Sequence, residues 1–211
     1  MKIYIGHDSR QPQNSIVCMN SIRRFGHDVT LIDRGEMQSI GYDREEDGST
    51  EFTYTRFLTP LLNEYEGVAL FCDSDFVWRK DPALVLQHLT DAPVTCVKHL
   101  IKQVRENRKF NEHKNVWYPK KWWSSMMVFN CGHEDCRNLT METVNTESPQ
   151  YLHRMEWASE IGRLDETYNY LVGYYDFYDD PVAVHFTDGT PQYQKYAQDD
   201  FAGEWHDLRR V

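Results

Sequence analysis

Residues 67–78, GVALFCDSDFVW, constrain the fold more than any other stretch of this chain. Val68, Ala69, Leu70, Phe71 and Cys72 run on without polar alternation. That is the pattern of a strand covered on both faces, as in a parallel sheet. The run drives into Asp73, Ser74 and Asp75, then turns apolar again at Phe76, Val77 and Trp78. Residues two apart on an extended segment project to the same side, so the two carboxylates converge. Left to themselves they repel one another and lose hydration. A divalent cation removes both problems, because hard cations take carboxylate oxygens. The plain alternative is a solvated turn leaving the strand, and an Asp-x-Asp alone does not exclude it. Its position at the end of the apolar run favours the metal.

The rest of the chain reads as alternating strands and helices. Lys2 to Ile5 form an opening strand that ends at Gly6, followed by the polar turn His7-Asp8-Ser9-Arg10. After Pro12, the spacing of Ile16, Met19, Ile22 and Phe25, broadened by Val17, predicts an amphipathic helix. Arg23, Arg24 and Gly26 mark its end, and Val29 to Ile32 resume as a strand. Strand, helix and strand in this order imply a parallel pair with a right-handed crossover. Residues 34–51 are polar, acidic and punctuated by glycine, which predicts a mobile loop. Phe57, Leu58, Leu61, Leu62 and Tyr65 then keep helical spacing, with Pro60 kinking or splitting that helix. Further elements are a helix over 82–89 and strands over 93–97, 124–130 and 182–186. Neither a repeat nor a linker divides the chain, and 211 residues suit a single domain over 1–211.

Charge and cysteine usage narrow the function classes. The net charge of −10 argues against general nucleic-acid binding and against anionic membranes. It conceals a local reversal. Residues 98–121 hold eight Lys/Arg against Glu106 and Glu112, a segment of +6 in a remainder of −16. This segment reads as a solvated loop, a flap over a donor diphosphate, or a grip on an anionic acceptor. Five cysteines without a regular framework suit reduced thiols in a cytoplasmic protein. Cys131, His133 and Cys136 fit no standard zinc spacing. No apolar stretch reaches membrane-spanning length.

Taken together, RFLTPLLNEYEGVALFCDSDFVW resembles the core of the family-eight glycosyltransferases, with their Arg-bearing helix, buried strand and Asp-x-Asp in this order. MKIYIGHD is similar to that family's opening nucleotide-binding strand, and VAVHFTDG to its late metal-binding histidine segment. The resemblance implies a GT-A-like single α/β domain, with a Rossmann-like, mostly parallel central sheet flanked by helices. It implies transfer of a sugar, with retention of configuration, from a nucleotide-sugar donor such as a UDP-sugar. Asp73, Asp75 and His185 would hold Mn2+, or Mg2+, beside the donor diphosphate; an imidazole ligand favours the transition ion. Gly6, His7 and Asp8 would meet the nucleotide, Asp8 through a hydrogen bond from the base. Arg56, Ser74, Ser125 and Gly189 would complete the donor site.

The chain departs from the family in three places. Ser124, Ser125 and Met126 stand where Asn-Ala-Gly is common, and Thr190 replaces a lysine. No Asp-Gln pair is present near the donor sugar, and Glu156 is the nearest carboxylate in a comparable region. Each assignment has a bland counterpart: His7 and Asp8 as helix caps, Arg56 as a surface ion pair, His185 as a satisfied core histidine. Two other functions share the Asp pair and the sheet, a nucleotidyltransferase acting on a sugar phosphate and a catalytically degenerate nucleotide-sugar or carbohydrate-binding module. The acceptor stays open among glycan, lipid-linked glycan, protein and modified nucleic acid.

Overall fold

The computed structural model describes residues 1–45, 48–105 and 115–211. A six-stranded sheet runs in the order β2-β1-β3-β6-β5-β7, formed by β1 (Lys2–Gly6), β2 (Thr30–Ile32), β3 (Val68–Cys72), β5 (Val94–Val97), β6 (Met126–Asn130) and β7 (Ile161–Leu164). Strand β6 is antiparallel to both of its neighbours, and every other pairing is parallel. A second, three-stranded sheet joins β4 (Phe76–Trp78), β9 (Ala183–His185) and β8 (Tyr170–Leu171) in the order β4-β9-β8. The expected mixed α/β architecture with a mostly parallel centre is therefore present. The apolar run at 68–72 is the middle of it, since β3 lies between β1 and β6 and Ala69 to Cys72 are fully buried. Gly67 begins the strand with φ at 59°, a left-handed conformation that glycine adopts without steric cost.

Helix α1 (Pro12–Arg23) forms the crossover between β1 and β2. Its buried face differs from the predicted one: Asn14, Ser15, Val17, Cys18, Ser21 and Ile22 are inside, while Ile16 is exposed. The helix is wedged between the two sheets and the C-terminal helix, so small and polar residues face inward and are paired there. Ser21 Oγ accepts from the Trp78 amide at 3.0 Å, and Asn20 donates to the Leu208 carbonyl at 2.9 Å. The predicted loop at 34–51 is also corrected, because α2 (Arg34–Ser39) forms there, with Asp33 accepting from the Glu36 amide as its cap. Pro60 splits its helix as predicted, into a 3-10 turn at Thr55–Leu58 and α3 (Thr59–Leu62). The helix expected over 82–89 is a 3-10 helix, Pro82–His88.

Past β6 come α4 (Met141–Thr146) and α5 (Pro149–His153), and α6 (Ala202–Leu208) closes the chain. All five cysteines are buried free thiols. No helix among the described residues is long and apolar enough to cross a membrane. Residues 106–114 of the basic segment, nine of the 24 positions of the predicted flap, lie outside the described residues.

Candidate active site

Asp73, Ser74 and Asp75 are the step from the large sheet to the small one: β3 ends at Cys72 and β4 begins at Phe76. The Asp73 amide donates to the Ser125 carbonyl at 2.8 Å, which holds the step against the start of β6. Strand β9 then pairs antiparallel with β4 in a register that sets His185 opposite Phe76, and the Phe186 amide donates to the Asp75 carbonyl at 3.0 Å. Two segments 110 residues apart thus bring a carboxylate pair and an imidazole together. One donor atom from each of Asp73, Asp75 and His185 lies within 4.8 Å of the others. Among the described residues this is the group of three whose geometry suits a single ion.

The hydrogen bonds around His185 decide which ring nitrogen is available. Ser125 Oγ donates to the Trp122 carbonyl at 2.6 Å, which uses the only hydroxyl proton. Asn169 Nδ2, 2.9 Å from that oxygen, must therefore be the donor to it. The Asn169 carbonyl oxygen then faces His185 Nδ1 at 2.9 Å, so Nδ1 carries a proton. In the neutral ring, Nε2 presents its lone pair 3.3 Å from Asp75 Oδ1. A lone pair facing a carboxylate is repulsive, and either a cation between them or a proton on Nε2 relieves it. His185 is 1% exposed and stacked on Phe76, with ring centroids 4.4 Å apart, so the ring does not turn away to water. Two carboxylate oxygens and one imidazole nitrogen make a donor set able to hold a divalent cation. The residues fit the ion.

Arg56 supplies the fixed positive charge. Its guanidinium lies 2.8 Å from Asp73 Oδ1 and donates to the carbonyls of Ser124 at 2.8 Å and Thr53 at 3.0 Å. It is also 5.3 Å from the ring centroids of Phe52 and Phe71. It is a buried structural partner of the acidic pair as well as a wall of the cleft, not a surface ion pair.

A solvent-open cleft enclosing about 830 Å³ of empty space covers this group. Arg56, Asp73, Ser74, Asp75, Ser125, His185 and Gly189 all line it. Gly6, His7 and Asp8 are not on its wall. Gly6 instead makes room for Phe52: a Cβ there would lie 2.4 Å from the Phe52 ring, and Phe52 does face the cleft. His7 Nδ1 pairs with Ser15 Oγ at 2.9 Å. Asp8 is buried, with its carboxylate held by Arg10 at 2.8 and 2.6 Å. Glu156 is exposed and lies outside the cleft, beyond the end of α5.

Gln11 and Asn14 are cleft residues that escaped sequence reasoning. Gln11, Asn14 and Thr190 form a polar corner in which Asn14 Oδ1 accepts from Thr190 Oγ1 at 3.0 Å and Asn14 Nδ2 donates to Gln11 Oε1 at 3.1 Å. Asn169 escaped it as well. Its only sequence signal is a lone amide inside the aromatic run Tyr168 to Leu171.

Comparison with known proteins places this geometry. No protein-family model matches the chain. Protein CDI of Arabidopsis thaliana is 34% identical over 222 aligned residues, covering 97% of this chain and 84% of that protein. The chain belongs to the Protein CDI family. Among solved structures, the galactosyltransferase LgtC in complex with donor and acceptor sugar analogues superposes with a TM-score of 0.62 at 11% identity, over 100% of this chain and 95% of LgtC. The bifunctional glycosyltransferase WbbM gives 0.65 at 15% identity over 99% of this chain, which spans only 49% of WbbM. The glycosyltransferase GlyE of Streptococcus pneumoniae TIGR4 gives 0.60 at 14% identity over 100% of this chain and 61% of GlyE. At such identities the likeness establishes the fold, that of the GT-A glycosyltransferases, and this member of the Protein CDI family has it along its whole length.

Proposed function

We propose that this protein is a metal-dependent glycosyltransferase that takes a UDP-sugar as donor and transfers its sugar with retention of configuration. One observation carries the reading. In a GT-A fold, Asp73, Asp75 and Nε2 of His185 converge on the wall of a solvent-open cleft. These three groups would hold Mn2+, which would supply positive charge beside the departing diphosphate. Arg56 holds Asp73 in place through their ion pair. Thr187, Gly189 and Thr190 bring β9's outgoing segment along the cleft, where the diphosphate of the donor would lie. On this reading Asp8 meets the base only by exchanging Arg10, which ties donor binding to a rearrangement of the β1–α1 turn.

A panel of nucleotide-sugars, assayed for released nucleoside diphosphate with Mn2+ and again with excess chelator, tests the reading. One UDP-sugar should be consumed in Mn2+ and spared in chelator. Asp73→Asn or Asp75→Asn should lower turnover on the order of 10²-fold or more with the fold intact, as losses of charge-stabilising groups do. Turnover indifferent to chelator would overturn the metal site. Release of pyrophosphate from a nucleoside triphosphate would replace the transferase with a nucleotidyltransferase. The anomeric configuration of the product, read by proton NMR, decides retention.

A further inference from the structure

A second groove adjoins the cleft and differs from it in charge. The two share a wall that includes Ser49, Thr53, Tyr118, Lys121 and His153, and the groove then continues along Gln150 and Arg154 at the end of α5. It encloses about 1000 Å³ of empty space, open to solvent. We propose that this groove is the acceptor site, and that the acceptor is a glycan carrying a negative charge. The word acceptor rests on the transferase reading above; the anionic specificity rests on the groove itself.

Among the described residues its lining holds two cations, Lys121 and Arg154, and no carboxylate, in a chain whose net charge is −10. His153 adds no charge to them. Burial, reinforced by Arg56 and Arg44, lowers its pKa to about 3, so it is a neutral hydrogen-bonding group at pH 7. Arg154 is half-buried and forms no ion pair among the described residues. A desolvated guanidinium recognises carboxylate, sulfate or phosphate through paired N–H donors.

Both cations are set by constrained backbone. Lys120 and Trp122, on either side of Lys121, have φ of 61° and 68°, and Met155, directly after Arg154, has φ of 54°. Residues other than glycine adopt this region rarely, and such conformations gather at functional sites. The two turns are tied together by Lys120 Nζ, which donates to the Arg154 carbonyl at 2.5 Å. Lys121 Nζ donates to the Val116 carbonyl at 2.9 Å and lies 4.8 Å from the Tyr118 ring centroid. Tyr118 is 40% exposed where cleft and groove meet, an aromatic face on which a sugar ring can stack.

A glycan array bearing neutral, carboxylated, sulfated and phosphorylated glycans, probed with the wild-type chain and with Arg154→Gln, tests the proposal. Arg154 lies outside the donor cleft, so calorimetry with UDP and Mn2+ should give the same affinity in both proteins. The array should retain only anionic glycans, and the substitution should weaken retention at least tenfold while Arg154→Lys restores part of it. Comparing the three anionic sets identifies which group the guanidinium reads. Equal retention of neutral glycans, no retention, or indifference to Arg154→Gln at an unchanged thermal midpoint would overturn the groove's assignment. If UDP with Mn2+ fails to bind while retention of anionic glycans still depends on Arg154, the donor reading falls and the anionic groove stands.

Discussion

Asn169 does not line the cleft, yet it selects the nitrogen that His185 offers. Its carbonyl takes the Nδ1 proton, and Ser125 fixes the orientation of the amide. Groups that hold the far side of a ligating histidine typically contribute ten- to a hundredfold in metal affinity. Asn169→Leu, which keeps volume and removes the acceptor, should therefore weaken Mn2+ binding by about that factor, read directly by electron paramagnetic resonance of the free ion. His185→Ala should cost more on the same scale. Unchanged Mn2+ affinity in Asn169→Leu, with only a loss of stability, would make Asn169 an ordinary buried amide. The contrast between these two residues shows what single positions disclose. Asp73, Asp75 and His185 stand out in the sequence because each interrupts or follows an apolar run where polarity is costly. Asn169 matters only because β8 falls beside β9, a pairing that no local pattern announces.

At the scale of elements, strands proved more legible than helices. The buried runs at 68–72, 94–97, 126–130 and 183–185 are all strands, since fully covered strands have few sequence alternatives. The inward face of α1 was misplaced because it packs between two sheets, where hydrogen-bonded Ser and Asn fit and Ile16 does not. Short helices such as α2 depend on a cap more than on periodicity, so a polar composition disguised it. The junction of β1 with the segment after α2 makes a test of its own. Gly6 has Phe52 so close that a methyl group has nowhere to go, and Arg56 lies over the same ring. Gly6→Ala should lower unfolding stability by about 1–3 kcal/mol, the usual cost of overpacking, and should raise the KM for donor by displacing the Phe52 wall. Urea unfolding and donor kinetics measure the two effects. A wild-type midpoint would mean that Phe52 is free to move aside.

The whole molecule carries a pH dependence written by two histidines that stay neutral inside it. His99 is 6% exposed, and burial followed by the nearby His185 lowers its pKa from 6.5 to about 3; its Nδ1 pairs with the Tyr175 hydroxyl at 2.6 Å. His153 is lowered to about 3 by burial and by Arg56 and Arg44. Both values lie below the unfolded one, so between pH 6.5 and about 3 the unfolded chain binds protons that the folded chain refuses. Stability contributed by the neutral rings is thus full above pH 6.5 and is lost as pH falls through that window. Each histidine adds a slope of about 1.4 kcal/mol per pH unit once it is well inside the window, and the two together about twice that. Burial raises the Asp199 carboxyl above 3.8, so it opposes the decline at the acid end of the window, while Asp81 and Asp135 act below it. Asp81, despite desolvation, is lowered by the His27 hydrogen bond, and Asp135 by its Ser159 hydrogen bonds, so both exert their effect below 3.8. Urea unfolding at pH 7, 6 and 5 should show the decline, and His153→Gln, which titrates nowhere in this range, should remove about half of the slope. A slope untouched by that substitution would place the acid sensitivity elsewhere than in these rings.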